Sequence, residues 1–456
     1  MAEITMEKII SWAKRRGFVF QGSEIYGGLG GAYDFGPLGV ELLNNIKAFW
    51  WKKVVQDRED YYGLDTAIFR HPRVWEASGH TTGFSDPMAE CKNCNTRVRA
   101  DKELIKIGVT ADEKMSEEEI GKLFKENLGK IKCVKCGKSD FTDVRKFNLL
   151  IKSNYGDFTT KNTEPVYLPG EACQGIYLNY KNTLDSMHPK IPFGIAQIGK
   201  AFRNEISPRN FLFRCREFEQ ADTQYFIRPN ENKDKYEEIK QERWKWHMDL
   251  GLSEKNLRWK QHENLVFYAS DAWDIEYNFP TYGFDEIEGV HDRTDYDLTQ
   301  HTKFSGVDLS YNEDGKKFIP WILETSMGVG RVFLAVISEA YVEEEVKDET
   351  RTVLKFPKHL APIKVAILPL SKKDELSKPA REIFENLKDH FVCQYDETQS
   401  IGKRYRRQDE IGTPYCVTVD FDTLNDNAVT VRDRDTMKQE RIDIKELLGY
   451  LQDRLK

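Results

Sequence analysis

Residues 202–222 read FRNEISPRNFLFRCREFEQAD, with four arginines and four carboxylates among phenylalanines that look like core. If residues 198–203 form a strand, Arg203 and Glu205 share a face, because side chains alternate with period two. The Pro-containing ISPRN, 206–210, suits a turn or loop. On a returning strand, Leu212, Arg214, Arg216 and Phe218 then share one face. A salt-bridged, solvated hairpin would account for the Arg and Glu residues at little gain in stability. It would not account for Phe218 on the arginine face. A phosphate and nucleobase site accounts for both, since the guanidinium fork matches phosphate oxygens and aromatic rings stack on bases.

A second constellation lies downstream, in LETSMGVGRVFLAVISEAY at 323–341. Gly328 and Gly330 permit close backbone approach, and Arg331 begins an apolar helix. A cation at a helix start is mildly disfavoured by the helix dipole, and it is tolerated where it faces an anion or stacks on a ring. A tight helix entry is the plainer reading of GVGR alone.

At 456 residues the chain exceeds one compact core, and two or three domains are expected. Hydrophobic residues make up 39% and charged residues 31%, as in soluble globular proteins. No run of eighteen apolar residues marks a membrane span, and the amphipathic, acid-containing N-terminus does not resemble a signal peptide, so a cytoplasmic location is expected. The net charge of −7 argues against a chain coated in nucleic acid, though not against a local basic patch. A first helix is expected over 6–16, a second over 38–55 after Pro37, and one near 236–250 within otherwise short strands from 147 to 326. Residues 347–362, with charges and prolines, read as a linker. Beyond it, alternating strands and helices form a small α/β unit, separate from the larger α+β body.

Of eight cysteines, four form the pairs Cys91/Cys94 and Cys133/Cys136, thirty-eight residues apart. Two such knuckles close a tetrahedral S₄ site, the preference of structural Zn²⁺, and four thiolates leave no open position for catalysis. Four reduced surface thiols are the alternative. The charged helical segment SEEEIGKLFKENLGK, 116–130, lies between the pairs, so 89–145 reads as an insertion.

Taken together, FRNE with the REFE strand and GVGR with its helix resemble motifs 2 and 3 of class II aminoacyl-tRNA synthetases. The finer resemblance is to the dimeric glycyl-tRNA synthetases (class IIa). FRNEISPR, REFEQ, EIEGVHDRTDYDL, the E-T-S segment, HPRVWEASGH and the C-terminal unit occur in the family's order over nearly the whole chain. This implies a class II antiparallel-sheet catalytic domain over 1–355 and an anticodon-binding domain over 360–456. The implied activity is ATP-dependent attachment of glycine to tRNA(Gly) through a glycyl-adenylate.

The resemblance also implies roles. Arg203 holds the α-phosphate of ATP and the amino-acid carboxylate, with Asn204 and Glu205 beside it. Arg214 reaches the outer phosphates. Phe218 stacks on adenine, with Phe213 nearby, and Arg331 covers the other face beside Gly328 and Gly330. Glu286 is the nucleotide-side acid and candidate Mg²⁺ ligand, next to Ile287. Glycine contacts map to Glu324, Ser326, Arg293, Glu171 and Arg99, and to the REFEQ strand through Phe218, Glu219, Gln220 and Asp222. Three departures stand out: Asp222 is one methylene shorter than the family's Glu, and Pro169 and Ala172 replace the Arg and Thr of a family RPETAQG. Motif 1, which builds the family's homodimer interface, falls across 38–73. In the C-terminal unit, IGKRYRRQDEIGTPYCVTVD supplies Lys403, Arg404, Arg406 and Arg407 as a local basic cluster for RNA.

Two other readings compete. A non-catalytic synthetase-like accessory protein would be expected to lose the arginines of motifs 2 and 3, yet both are present. A class IIa enzyme for another small amino acid is the second, and mixed Cys/His ligands for an active-site zinc, expected of a threonine enzyme, are not evident.

Overall fold

The computed structural model describes residues 4–455 apart from 112–114, 158, 160, 161, 207, 209, 264, 266–268, 347 and 348. Seven strands form the main sheet: β1 Tyr61–Leu64, β2 Phe193–Phe202, β3 Glu217–Ile227, β4 Leu257–Gln261, β5 Asp271–Phe279, β6 Gly283–Thr294 and β7 Trp321–Gly328. Their spatial order is β4-β5-β6-β7-β3-β2-β1, antiparallel except for the parallel β1/β2 edge.

Period-two alternation gives the sheet two unlike faces. Along β3, Ala221, Thr223 and Tyr225 point to one face, and Phe218, Gln220, Asp222 and Gln224 to the other. The first face packs on the main core. The largely buried helix Val329–Ala340 and the helices Pro37–Trp51 and Asn232–Asp249 contribute to that core. The polar face is covered at one end by helices Gln174–Met187 and Tyr296–Ser305, which share a smaller core with Phe193, Phe226 and Ile322. At its other end this face stays open as a cleft.

The hairpin departs from the sequence expectation. The β2 strand ends at Phe202, residues Phe211–Phe213 form a 3₁₀ turn, and β3 begins only at Glu217. Arg214 and Arg216 therefore do not share a strand face with Phe218. Arg216 instead turns back to the glycine-rich stretch, donating from Nη1 to Gly30 O at 2.7 Å and from Nε to Glu205 O at 3.0 Å. Gly31 makes this approach possible: it sits at φ +74°, and a Cβ there would lie 2.6 Å from Pro208. Ser207 and Arg209 of the expected turn lie outside the described residues.

Residues Glu349–Leu354 form a strand paired with Tyr341–Val346, where a linker was expected, and Lys347 lies outside the described residues. The C-terminal sheet runs Cys393–Tyr395, Val365–Pro369, Tyr415–Val419, Ala428–Asp433, Gln439–Asp443 in spatial order. The strand Gln439–Asp443 was not foreseen, and it delays the last helix to Leu447–Arg454. Several contacts bind this C-terminal unit to the larger body, Arg16–Glu410 and Arg434 to Phe356 O among them. Trp12 of the first helix donates to Glu410 O at 3.1 Å. Asp409, fully buried, accepts from Arg351 Nε at 2.9 Å and from both Nη of Arg432 at 2.8 and 3.0 Å.

Candidate active site

The open end of the polar face is a cleft of about 110 Å³. Its wall brings together Arg203, Glu205, Phe213, Arg214, Phe218, Glu286 and Arg331, with Gly328 and Gly330 at the entry to helix Val329–Ala340. Arg203 donates to Gly170 O at 3.2 Å, and its guanidinium lies between the Phe218 and Phe84 rings, 5.3 and 5.2 Å from their centroids. Neither Arg203 nor Arg214 makes an ion pair among the described residues. Two cations that form no direct ion pair, beside an aromatic wall, suit an anion that carries a ring.

Arg331 lies over the Phe213 ring at 4.5 Å. It donates to Phe213 O at 3.2 Å and to Glu286 O at 3.1 Å, and pairs with the Glu286 carboxylate at 3.0 Å. Desolvation raises the Glu286 pKa, but Arg331 outweighs it and holds the group below the ordinary carboxylate range. Glu286 owes its orientation to a β-bulge opposite Ile275/Glu276, where Ile287 is the extra residue of β6. The bulge reverses the alternation, so Glu286 faces Arg331 while Glu288 faces the other way, buried against Arg243 and His247 at 2.6 and 2.7 Å.

Deeper along the same face lies a buried carboxylate pocket. Glu324 accepts from Gln224 Nε2 at 2.8 Å and from Arg293 Nη1 at 3.1 and 2.9 Å, and its Oε2 lies 3.0 Å from His291 Nδ1. Arg293 also donates to Asp297 at 2.8 and 3.2 Å. Burial raises the Glu324 pKa, but Arg293 leads the opposing interactions that bring it down to about 2. Glu171 lies 3.3 Å from His80 Nε2, and His80, Arg293 and Arg203 together override its burial to keep it ionised.

Asp222 is the exception. It is wholly buried, and neither carboxylate oxygen has a hydrogen-bond partner among the described residues. Burial pushes its pKa well above the usual range, and Glu324 and Glu171 push it further. Ser326 is its cross-strand neighbour. Gln220 ties this strand to the PGEACQG segment, donating to Ser326 Oγ at 3.2 Å and accepting from Ala172 N at 3.0 Å. Pro169 and Ala172 contribute no charge there, and Arg70 holds the segment instead, donating to Glu171 O and Ala172 O at 3.4 Å.

Three expected residues stand apart, Ile287, Asn204 and Arg99, and a fourth, Glu219, borders the cleft without turning its carboxylate into it. The Glu219 carboxylate is on the opposite side of the strand from Gln220 and pairs with Lys47 at 3.3 Å, as period two requires. Ile287 is fully buried in the main core, with no exposed side chain. Asn204 is fixed through its backbone N–H, which donates to Leu149 O at 2.8 Å, and does not line the cleft. Arg99 belongs to the inserted region, paired with Asp86 at 3.0 Å and Asp101 at 2.5 Å. Sequence reasoning missed Phe84, His80, Gln224, His291 and Asp297. His80 ends HPRVWEASGH, and His291 and Asp297 lie in EIEGVHDRTDYDL, so those motifs held the signal.

In the inserted region, Cys91 Sγ lies 3.5 Å from Cys136 Sγ, and Cys94 Sγ 3.5 Å from Cys133 Sγ. All four sulfurs are within 4.8 Å of one another, and all are free thiols. Each CxxC makes the same turn: Asn95 N donates to Cys91 O and Gly137 N to Cys133 O, both at 2.8 Å, with φ of +55° and +70° at the donors. The Thr96 hydroxyl, 3.2 Å from Cys94 Sγ, favours the thiolate and moves that pKa down to about 6. Four thiols at these separations fit tetrahedral S₄ coordination, whose bonds are about 2.3 Å long.

In the C-terminal unit, Arg404 is buried and donates to Pro369 O at 2.7 Å and Asp396 O at 2.9 Å. Arg407 pairs with Asp396. This corrects the expected basic cluster: Arg404 is buried against backbone carbonyls and Arg407 is neutralised by Asp396, which leaves Lys403 and Arg406 as the cations of the four with neither restraint among the described residues.

Comparison with known proteins adds independent findings. The family profile described as the tRNA synthetase class II core domain (G, H, P, S and T) matches residues 155–341, and the anticodon binding domain profile matches 364–454. A glycine–tRNA ligase of Clostridium acetobutylicum is 51% identical, covering 100% of this chain and 99% of its own. Those of Treponema denticola and Caldanaerobacter subterraneus subsp. tengcongensis are 50% and 49% identical, each over 100% of this chain and 98% and 99% of theirs.

Proposed function

The chain belongs to the glycine–tRNA ligases, built on a class II synthetase core, and from that premise we propose which residues carry each part of the reaction. The activity is attachment of glycine to tRNA(Gly) at the expense of ATP, through a glycyl-adenylate. One observation supports the residue assignment above others: two arginines that form no direct ion pair among the described residues, beside an aromatic wall, adjoin a pocket where Glu171, Asp222 and Glu324 lie near Arg293.

In this reading, Arg203 bridges the α-phosphate and the glycine carboxylate, and Arg214 holds the outer phosphates. Phe218 and Arg331 enclose the adenine. A glycine carboxylate oxygen attacks the α-phosphorus, the bond to pyrophosphate breaks, and the cations stabilise the charge that gathers on the phosphoryl oxygens. The nucleophile is already an anion, so no general base is needed. Glu286 would hold Mg²⁺, which supplies further charge neutralisation on the phosphates. Specificity is steric: every competing amino acid is larger, and the pocket floor is closed by Gln220, Ser326 and Ala172.

ATP–pyrophosphate exchange across a panel of amino acids tests the substrate assignment. Exchange with glycine alone is expected. Exchange with alanine or serine in place of glycine would overturn it, and exchange with no amino acid would favour the non-catalytic alternative.

Asp222 receives the glycine ammonium. As a carboxyl group with a raised folded pKa, it contributes stability that is present below about pH 3.9 and lost as pH rises through the folded value. The ammonium offsets that loss by stabilising the carboxylate. Glycine binding therefore releases a proton, and affinity falls as pH is lowered. Asp222→Asn should weaken binding and flatten this dependence. Calorimetry in two buffers of different ionisation enthalpy measures the proton; none released by the wild type would remove Asp222 from the ammonium site.

Cys91, Cys94, Cys133 and Cys136 hold a structural Zn²⁺. Chelation is expected to expose 89–145 to proteolysis while the rest of the chain stays resistant, as limited digestion with mass spectrometry would reveal. Uniform digestion throughout the chain would contradict this. The division into a catalytic unit over 1–355 and an anticodon-binding unit over 360–456 follows the same reading, with Lys403 and Arg406 toward RNA. A homodimer through the 38–73 segment draws support from Ile68 and Phe69, which are 40% and 71% exposed. No helix among the described residues is long and apolar enough to cross a membrane, and a cytoplasmic location suits the activity.

A further inference from the structure

We propose that His262, Asp274 and His291 form a binding site for one divalent transition-metal ion of the Zn²⁺ type, on the cleft face between Glu286 and Glu324. The three come from adjacent strands: His262 just after β4, Asp274 on β5 and His291 on β6. Their ligand atoms lie within 4.8 Å of one another. His262 Nε2 is 2.8 Å from Asp274 Oδ2. His291 uses Nδ1 on Glu324 at 3.0 Å, which places its proton there and leaves the Nε2 lone pair for a metal. An imidazole whose other nitrogen is held by a carboxylate is the arrangement that orients metal-bound histidines.

The space between these atoms is kept by a glycine. A Cβ at Gly289 would lie 2.8 Å from His291 Nε2 and 3.6 Å from Asp274 Oδ1. The side chains of His262, His291 and Asp274 are 35%, 20% and 11% exposed, so water can complete the coordination. Two imidazoles and one carboxylate favour Zn²⁺, Co²⁺ or Ni²⁺ over Mg²⁺, which takes oxygen ligands. The donor set also differs from the S₄ cluster, so the two sites are spectroscopically separable. A filled site would fix the His291 ring and, through it, Glu324.

Titration of the metal-stripped full chain with Co²⁺ tests this. Two equivalents are expected, one with thiolate-to-metal charge transfer and one with ligand-field bands only. His262→Ala and Asp274→Ala should each bind one equivalent, that with the thiolate signature, whose retention shows each variant to be folded. Gly289→Ala, which fills the space without removing a ligand, should also lose the second equivalent or weaken it at least tenfold. A wild type that binds only the thiolate equivalent overturns the proposal. So does a second equivalent that persists in both ligand variants.

Discussion

Arg331→Ala is expected to reduce ATP–pyrophosphate exchange by about 10²–10³-fold while leaving the protein folded. The guanidinium lies at the start of a buried helix, over Phe213 and against Glu286, where a nucleotide would complete the stack. Its removal deletes positive charge where the transition state gathers negative charge, and it leaves Glu286 facing the phosphates uncompensated. The effect on stability should be small, because the Glu286 partner is 42% exposed and hydrates readily. Steady-state exchange rates beside a denaturation curve separate the two quantities. Exchange at the wild-type rate in a folded Arg331→Ala protein would remove this residue from the chemistry.

Arg293→Leu should lose both activity and stability. The side chain is 3% exposed and is shared by Glu324 and Asp297, themselves 4% and 1% exposed. Deleting the cation leaves two buried carboxylates facing one another, a loss of about 3–5 kcal/mol. The pH dependence is specific. In the wild type, the depressed Glu324 pKa contributes stability above its unfolded value near 4.3, and that contribution is lost as pH falls through about 2. In the variant, the pKa of Glu324 rises, so the contribution is already absent at neutral pH and acidification removes less. Arg293→Lys keeps the charge without the fork and should fall between. Urea denaturation at pH 7 and pH 4 distinguishes these outcomes; equal losses at both pH values would contradict the account.

Residue types predicted much of the cleft, and residue spacing predicted less. FRNE, REFE and GVGR marked the wall because Arg, Phe and Gly in that mixture have few purely structural uses. From Phe218 onward the strand does alternate, and Gln220 and Asp222, which only the family resemblance had named, share the face of Phe218. It failed before Glu217, because the 3₁₀ turn at Phe211–Phe213 interrupts the period. The bulge at Ile287 was equally invisible: one extra residue separates the roles of Glu286 and Glu288, and nothing in DEIEGV announces it. Helices Gln174–Met187 and Tyr296–Ser305 escaped notice because their buried positions include Gln174, Thr183, Asp297 and His301, which blur any apolar stripe. Three of them, His301, Gln174 and Asp297, form a hydrogen-bonded chain that ends on Arg293 in the pocket, so the residues that blur the stripe are the ones that lead to it.

The carboxylate of Asp409, clasped by Arg351 from one body and Arg432 from the other, has a mechanical consequence. With Trp12 fastened to Glu410, the joint between the two sheets is a rivet rather than a tether. On the proposed reading, an RNA that touched both Lys403 and the cleft would meet two surfaces joined through this contact, so cutting the joint should disturb recognition of such an RNA without touching either surface.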